Sequence, residues 1–279
     1  MEERPGAASG TDSVNMLQII NPATVGGGIA LLLFAGILVA LDVGRRLGLR
    51  ALARRDTAGL SNVGSLETAV FALLGLLIAF TFSGALTRFD QRRAQVVDEA
   101  NAVGTAYLRI DLLPAATQPR LRETFRRYVD ARLATYRKLP DLEASRDELA
   151  RSQALQADIW AQTLAALRLP EARPSAEMLM VPALNAMFDI TTVRVMATQI
   201  HPPIIIYAML IGLALASALL AGYQASGHQR RYDWVHGVGF AAIVALTVYV
   251  ILDIEYPRLG FVRIDAIDQV LANVRAGMN

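Results

Sequence analysis

The chain has 279 residues, of which 54% are apolar and 19% are charged. The apolar content exceeds that of ordinary soluble domains, and it lies in blocks separated by stretches of ordinary polarity. A formal net charge of +2 without a basic stripe argues against a nucleic-acid-binding protein. The absence of cysteine excludes disulfides, thiolate metal sites and cysteine nucleophiles.

The apolar blocks predict four transmembrane helices, which makes the lipid bilayer the first expected partner. Roughly 20 helical residues cross the hydrocarbon core, and the first three blocks reach that length. The fourth block is marginal because His236 lies near its start. The predicted spans are residues 23–41, 68–87, 202–223 and the interval between Asp233 and Asp253.

The spans and the segments between them predict an all-α membrane protein. A helical extramembrane domain is inserted between spans two and three, because residues 88–201 show no strand alternation and few glycines. The predicted division is an N-terminal tail (1–22), spans one and two with a short basic loop (23–87), the helical domain (88–201), spans three and four (202–256), and a C-terminal tail that packs on the helical domain (257–279).

Helix starts in the inserted domain are predicted from capping residues. Thr117 can cap a helix that opens with Gln118 and Pro119. Ser145 and Glu148 have the spacing of a capping box. The predicted inward faces contain Leu121, Phe125, Tyr128 and Leu133 in one helix, Leu149, Ile159, Trp160, Leu164 and Leu167 in the next, and Met180, Leu184, Met187, Phe188 and Val195 in the last.

Arginine placement predicts the orientation of the spans. Five arginines follow span one, and two more lie between spans three and four: Arg45, Arg46, Arg50, Arg54, Arg55, Arg230 and Arg231. The positive-inside rule therefore places the short loops in the cytoplasm and the helical domain outside. A smaller set of juxtamembrane arginines opposes this orientation: Arg88, Arg92, Arg93, Arg258 and Arg263.

No motif for catalysis is present, so an enzyme is not expected. His201, His228 and His236 lack metal-ligand spacing, and there is no nucleophile elbow, P-loop or dinucleotide fingerprint. We expect no catalytic residue, metal or cofactor. The run Gly26-Gly27-Gly28 is interpreted as a place of close helix packing.

Polar residues outside the spans form two candidate groups. The first contains Asp98, Glu99, Asn101 and Arg109, which are compatible with a buried network, an ion-facing ring or a solvated face. The second contains Asn185, Asp189 and Arg194, followed by His201. Asp189 is expected to pair with an arginine, because a lone charge on a packed helix face is destabilising.

A third polar group lies where span four leaves the membrane, and it contains Asp253, Glu255 and Arg258. Carboxylates at that depth are energetically expensive and are often functional. A salt bridge to the arginines after span two is the structural alternative.

Span two carries a stripe with a helical period. Ala72, Leu76 and Phe80 fall on one face, and Ser83 and Gly84 continue it. This mixture of side chains suits a helix that packs against copies of itself around a narrow apolar constriction. A constriction of this kind controls ion passage by losing its water. Ordinary helix packing is the alternative explanation of the stripe.

The residues of span two and its exit resemble bacterial bestrophins. The resemblance covers the aliphatic helix that runs into Arg88-Phe89-x-x-Arg92, the pair Pro202-Pro203 that opens span three, and the exit Glu255-x-Pro257-x-x-Gly260. The order of two spans, a helical insert and two spans is similar over most of the chain. The chain is identified as a member of the bestrophin-like group of bacterial membrane proteins (DUF4239).

The resemblance implies a homopentameric ion channel whose second span lines the pore. Ala72, Leu76 and Phe80 would form its hydrophobic neck, and Ser83, Gly84, Arg88, Arg92, Asp98 and Glu99 would flank it. Arg88, Arg92 and Arg93 beyond the neck would raise the local concentration of anions, which predicts a weak preference for anions such as chloride. The alternatives are a cation channel and a non-conducting scaffold or sensor whose helical domain binds a partner. No counterpart of the animal calcium clasp follows Gly260, so calcium gating is not expected.

Overall fold

The computed structural model describes residues 22–54, 58–226, 234–258 and 260–278. The tail predicted at 1–22 falls outside these ranges except for its last residue, and so do Arg55, Arg230 and Arg231. Within the described ranges every regular element is helical, which confirms the all-α prediction. The elements are α1 (Pro22–Ala53), α2 (Ala58–Leu108), a 3₁₀ turn (Arg109–Leu112), α3 (Gln118–Arg137), α4 (Leu142–Leu167), α5 (Pro174–Ala197), α6 (Ile204–Ala225), α7 (Trp234–Glu255) and α8 (Asp265–Ala276).

Five of the described helices are long and apolar enough to cross a membrane. α1, α2, α6 and α7 correspond to the predicted spans, and α5 is the fifth candidate. α5 is the least apolar of the five, and it carries Glu177, Asp189 and Arg194. Length and composition thus leave five candidates, and the arrangement with four spans stays a prediction.

The chain divides into two compact units. The membrane unit contains the chain up to Leu86 and Pro202–Phe261, and therefore α1, the first half of α2, α6 and α7. The helical unit contains Thr87–His201 and Val262–Asn279, and therefore the second half of α2, α3 to α5 and α8.

In the membrane unit, α1 and α6 approach each other closely through glycines. A Cβ atom added to Gly44 would overlap the carbonyl of Leu219, and one added to Gly222 would overlap the carbonyl of Leu41. Gly44 and Gly48 have the four-residue spacing that lets membrane helices bring their backbones together.

The close approach does not occur at Gly26-Gly27-Gly28, where the sequence predicted it. A Cβ atom on Gly26 would lie 3.8 Å from the Leu252 Cβ atom, which is an ordinary contact. Gly27 and Gly28 have nothing within 4 Å of such an atom. The spacing between glycines, rather than their number, was the informative signal.

The helical unit has a core formed by α2, α3, α4, α5 and α8. Phe125, Tyr128 and Met187 are fully buried in it, and Leu271 and Met278 contribute from the C-terminal segment. The predicted inward face of α3 is buried along its whole length. α5 buries Met180 and Leu184 as predicted.

Two predicted caps differ from the structure. α4 begins at Leu142 rather than Ser145, because the Asp141 carboxylate accepts a hydrogen bond from the Ala144 amide at 3.0 Å. Ser145 instead donates to the Thr135 carbonyl at 2.6 Å. α3 begins after Thr117 as predicted, but the Thr117 hydroxyl donates to the Pro114 carbonyl at 2.8 Å and caps nothing.

We expect Gly222→Ala to lower the melting temperature of the purified protein. The added Cβ atom would meet a main-chain carbonyl that has no flexible side chain to give way, and overpacking of this kind costs about 1–3 kcal/mol. Gly212→Ala is the matched control, because it lies on the same helix with nothing within 4 Å. Equal melting temperatures for the two variants would contradict this account of the α1–α6 contact.

Candidate pore helix and buried charge cluster

The membrane half of α2 is the least covered of the apolar helices. Only 11% of the residues in its most apolar 18-residue stretch are buried, against 22–33% in the corresponding stretches of the other candidate spans. Between residues 72 and 87, only Leu74 and Ala85 are buried. At 100° per residue, the exposed positions of this segment cover about half of the helix circumference. A wide apolar face of α2 is therefore available to lipid or to other copies of the chain.

The predicted neck residues lie on this exposed face. Leu76 is 52% exposed and Phe80 is 68% exposed, and Ala72 is also exposed. Ser83 continues the exposed face, and Gly84 is half-buried at its edge. The period seen in the sequence thus corresponds to one uncovered side of α2.

Arg92 does not lie on an exposed face, although it was predicted to flank the pore. Its guanidinium is buried, and it donates to the Ala197 carbonyl at 3.2 Å and to the Ile200 carbonyl at 3.1 Å. The Ala197 carbonyl ends α5, where a positive charge is favourable, and Ile200 lies in the segment that follows the helix. Arg92 therefore fixes the end of α5 within the helical unit, while Arg88, one turn earlier, is half-buried.

Glu99 is the centre of a buried charge cluster. Arg132 of α3 donates from Nε to Oε1 at 2.6 Å and from Nη2 to Oε2 at 3.3 Å. Arg194 of α5 donates from Nη1 to Oε2. The side chains of Glu99 and Arg132 are inaccessible to solvent, and that of Arg194 is 4% exposed. Of the three interpretations, Glu99 follows the buried network and not the ion-facing ring.

Aromatic and acidic groups complete the cluster. Arg132 Nη2 donates to the Tyr136 hydroxyl at 2.9 Å, and the Arg194 guanidinium lies 4.3 Å from the centre of the Tyr136 ring. Asp268 of α8 approaches Arg194 with 3.8 Å between Oδ1 and Nη2. Two arginines therefore contact Glu99 directly, and one of them also lies near Asp268. The two positive charges are balanced by these two carboxylates.

The environment of Glu99 sets its proton affinity. Burial alone raises the pKa of Glu99, but the charges of Arg132 and Arg194 and the hydrogen bonds they donate outweigh burial and hold the pKa below its ordinary value. Glu99 lies beyond the end of the predicted second span at Thr87. The carboxylate is therefore charged at neutral pH and serves to neutralise the two arginines.

The neighbours of Glu99 are solvated. Asp98 and Asn101 are exposed, and Arg109 is half-buried with a hydrogen bond to the Leu179 carbonyl. The first polar group is thus divided: one member forms the network and the others lie at the surface.

The second polar group is also divided. Asn185 and Asp189 are exposed on α5, and His201 is half-buried in the segment after it. The expected pairing of Asp189 with an arginine is wrong among the described residues, because the helix face that carries Asp189 is not packed within the chain. Arg194 pairs with Glu99 instead.

The acidic residues at the end of α7 are buried. Asp253 and Glu255 are 7% and 1% exposed, and Arg258 is half-buried. The Asp253 carboxylate accepts a hydrogen bond from the Phe261 amide at 2.9 Å. A Cβ atom on Gly260 would overlap that carboxylate. A side chain at position 260 would therefore have to displace the Asp253 carboxylate from the Phe261 amide.

Arg132 is the main residue that the sequence reading missed. It occupies the position that continues the apolar stripe of Leu121, Phe125 and Tyr128 by one helical turn. An arginine at a buried position needs a buried acidic partner, and this requirement could have identified Arg132 as a member of a buried charge cluster. No group of three or more His, Asp or Glu residues in the described part of the chain could hold a metal ion.

The comparisons with known proteins agree with this architecture. A family model described as a Bestrophin-like domain matches residues 31–267. Crystal structures of a bacterial bestrophin homologue from Klebsiella pneumoniae are similar in fold. An isoleucine-to-threonine variant has 12% identity and a TM-score of 0.62, and a leucine-to-threonine variant has 14% and 0.63. Each match covers 88% of this chain and 98% of the other.

A further crystal structure, described as a membrane protein carrying a proline-to-alanine substitution, matches with 13% identity and a TM-score of 0.63. That match covers 88% of this chain and 98% of the other. The search of curated proteins found no match. The identities of 12–14% establish a shared fold and leave the activity to be argued separately.

The fold and the apolar helices define an all-helical membrane protein. The family model covers most of its length, and the chain belongs to the bestrophin-like family.

We expect Glu99→Gln to destabilise the protein strongly. The substitution would leave Arg132 and Arg194 buried without a counter-charge, and breaking a buried pair costs about 3–5 kcal/mol. Asp98→Asn, at the exposed neighbouring position, is the matched control and is expected to melt at the wild-type temperature. Thermal unfolding of the purified protein measures the difference.

The same scan at decreasing pH gives a second readout. Because the folded pKa of Glu99 is lowered, its contribution is present above the ordinary carboxyl pKa and is lost as the pH falls through the folded value. Glu99→Gln should remove that part of the acid sensitivity. If Asp98→Asn and Glu99→Gln destabilise the protein equally, the buried charge cluster does not stabilise the helical unit as argued.

Proposed function

We propose that the chain is one subunit of a homo-oligomeric, pentameric ion channel whose pore is lined by the membrane half of α2. The observation that carries the proposal is the wide uncovered face of α2, with Ala72, Leu76 and Phe80 along one side. Membership in the bestrophin-like family favours a channel over an enzyme. Copies of α2 around an axis would cover part of this face and leave the neck residues facing the lumen.

The neck controls permeation through its apolar surface. Five copies of Leu76 and Phe80 around an axis form rings that exclude water when the passage is narrow. The hydroxyl of Ser83 lies one turn further along the same face and offers the next polar contact to an ion. No ion ligand is required at the neck itself, so conduction is passive and gated by hydration.

The preference between anions and cations follows from charges beyond the neck. Arg88 raises the local concentration of anions such as chloride. Arg93 contributes less, because Asp90 lies 3.4 Å from it and both side chains are exposed. Asp98 has the opposite effect, while Arg92 and Glu99 are omitted because both are buried. The proposed preference for anions is therefore weak.

We expect Phe80→Ala to raise ion flux from liposomes that contain the purified protein. Removing the phenyl ring from every subunit widens the neck and lets water remain in it. Flux is measured for wild type and variant at equal, verified incorporation. Reversal potentials in a salt gradient then give the sign of the permeant ion.

Phe82→Ala is the matched control, because Phe82 lies about 200° around the helix from Phe80 and is 37% exposed. It should leave flux near the wild-type rate. If neither the wild type nor Phe80→Ala conducts, the chain is a membrane-anchored scaffold or sensor. A reversal potential that shows cation selectivity would support the proposed pore and contradict the proposed preference for anions.

We further propose that the helical domain lies outside the cytoplasm of a bacterial inner membrane. The proposal rests on the arginines after span one, of which Arg45, Arg46, Arg50 and Arg54 are exposed. Protease added to spheroplasts is expected to cut within residues 88–201. Cleavage only in inside-out vesicles would overturn this orientation.

A further inference from the structure

The last turns of α1 present a basic surface that the proposed channel does not use. Arg45, Arg46, Arg50 and Arg54 are all exposed. They follow an apolar stretch of α1 that contains no charge until Asp42. α1 therefore continues as one helix from an apolar segment into a strongly basic one.

This basic surface lies on the side of α1 that its own chain leaves uncovered. Gly44 and Gly48 face α6, where their Cβ positions are occupied by α6 atoms. Arg46 and Arg50 each follow one of these glycines by two residues, which places them about 200° around the helix. The guanidinium groups thus point away from the protein.

The first two of these arginines lie at the depth of a lipid headgroup. At 1.5 Å per residue, Arg45 and Arg46 lie about 6–8 Å beyond Leu41, where the predicted span ends. The headgroup region extends roughly 5–8 Å on each side of the hydrocarbon core. Leu47 and Leu49 in the same turns are 42% and 48% exposed. By the same rise, these leucines lie about 9–12 Å beyond Leu41, Arg50 about 14 Å and Arg54 about 20 Å, so the basic surface extends from the headgroup region to its aqueous side, where long arginine side chains reach back toward the membrane.

The basic surface carries excess positive charge. Asp42 lies 2.7 Å from Arg46, but the two side chains are 51% and 69% exposed, so the pair is weakened by water. Arg50 and Arg54 form no ion pair with a described carboxylate. α1 thus contains three arginines and one aspartate, and Arg54 follows it directly.

We propose that this surface, formed by Arg46, Leu47, Leu49, Arg50 and Arg54, binds the headgroup of an anionic phospholipid. A guanidinium donates two parallel hydrogen bonds to a phosphate, and Leu47 and Leu49 add exposed apolar surface between the arginines. Free phosphate would use only the hydrogen bonds, whereas a phospholipid would also use the apolar surface. We therefore assign the site to a phospholipid. The proposal requires α1 to lie in the membrane and is independent of ion conduction.

The test is lipid binding to the purified full-length protein. Phosphatidylglycerol and phosphatidylcholine are titrated separately, and retained lipid is counted by native mass spectrometry. Wild type is expected to retain phosphatidylglycerol preferentially. Each basic residue near an anionic surface contributes roughly fivefold, so the triple variant Arg46→Gln, Arg50→Gln, Arg54→Gln should weaken that binding by up to about 100-fold.

Two comparisons make the result specific. The control variant Arg127→Gln, Arg137→Gln, Arg146→Gln removes the same charge from exposed positions of the helical unit and should bind as wild type does. Inorganic phosphate at the lipid concentration should not compete. Equal retention of both lipids by wild type, an equal loss in both triple variants, or full competition by phosphate would each overturn the proposal. The triple lysine variant keeps the charge but cannot donate the two parallel hydrogen bonds, so it should bind phosphatidylglycerol more weakly than wild type and more tightly than the triple glutamine variant. Binding no tighter than that of the glutamine variant would overturn the role of charge.

Discussion

A carboxylate that is sealed from water needs cations around it, and this requirement organises the helical unit. Glu99 lies on α2, Arg132 on α3 and Arg194 on α5, while Asp268 of α8 balances the second arginine. Four helices therefore meet at one charge cluster. Apolar packing alone would tolerate small shifts between these helices. Paired buried charges tolerate them poorly, because any displacement leaves a charge unpaired.

The membrane half of α2 shows the opposite property. Leu74 and Ala85 are its only buried residues between positions 72 and 87, so the chain by itself does not cover the helix. Lipid could solvate such a face, but lipid does not explain why the face combines Ala72, Leu76 and Phe80 with Ser83. An apolar neck followed by a hydroxyl suits a passage that ions cross. The basic end of α1 is proposed to add a second contact with the membrane, to the headgroup of an anionic phospholipid.

The all-helical class, the family and most of the helical core could be predicted from periodicity and from local motifs. Leu121, Phe125 and Tyr128 are buried as their spacing predicts. The errors concern choices between competing local partners. Asp141 and Ser145 can both cap a helix, and only the Thr135 carbonyl, which is brought close by the fold, decides between them. Arg92 and Glu99 were assigned by position along the chain, whereas their partners lie about 100 residues away or on another helix. Long-range pairing of this kind leaves little trace in a single sequence.

Thiol accessibility at position 80 tests the pore most directly. The chain contains no cysteine, so Phe80→Cys would carry the only thiol. A charged, membrane-impermeant thiol reagent should change ion flux through Phe80→Cys and leave flux through Phe82→Cys unaltered. This result would place residue 80 on the water-filled path. If Phe80→Cys conducts ions and is labelled without any change in flux, residue 80 does not line the path, and the proposed neck is contradicted.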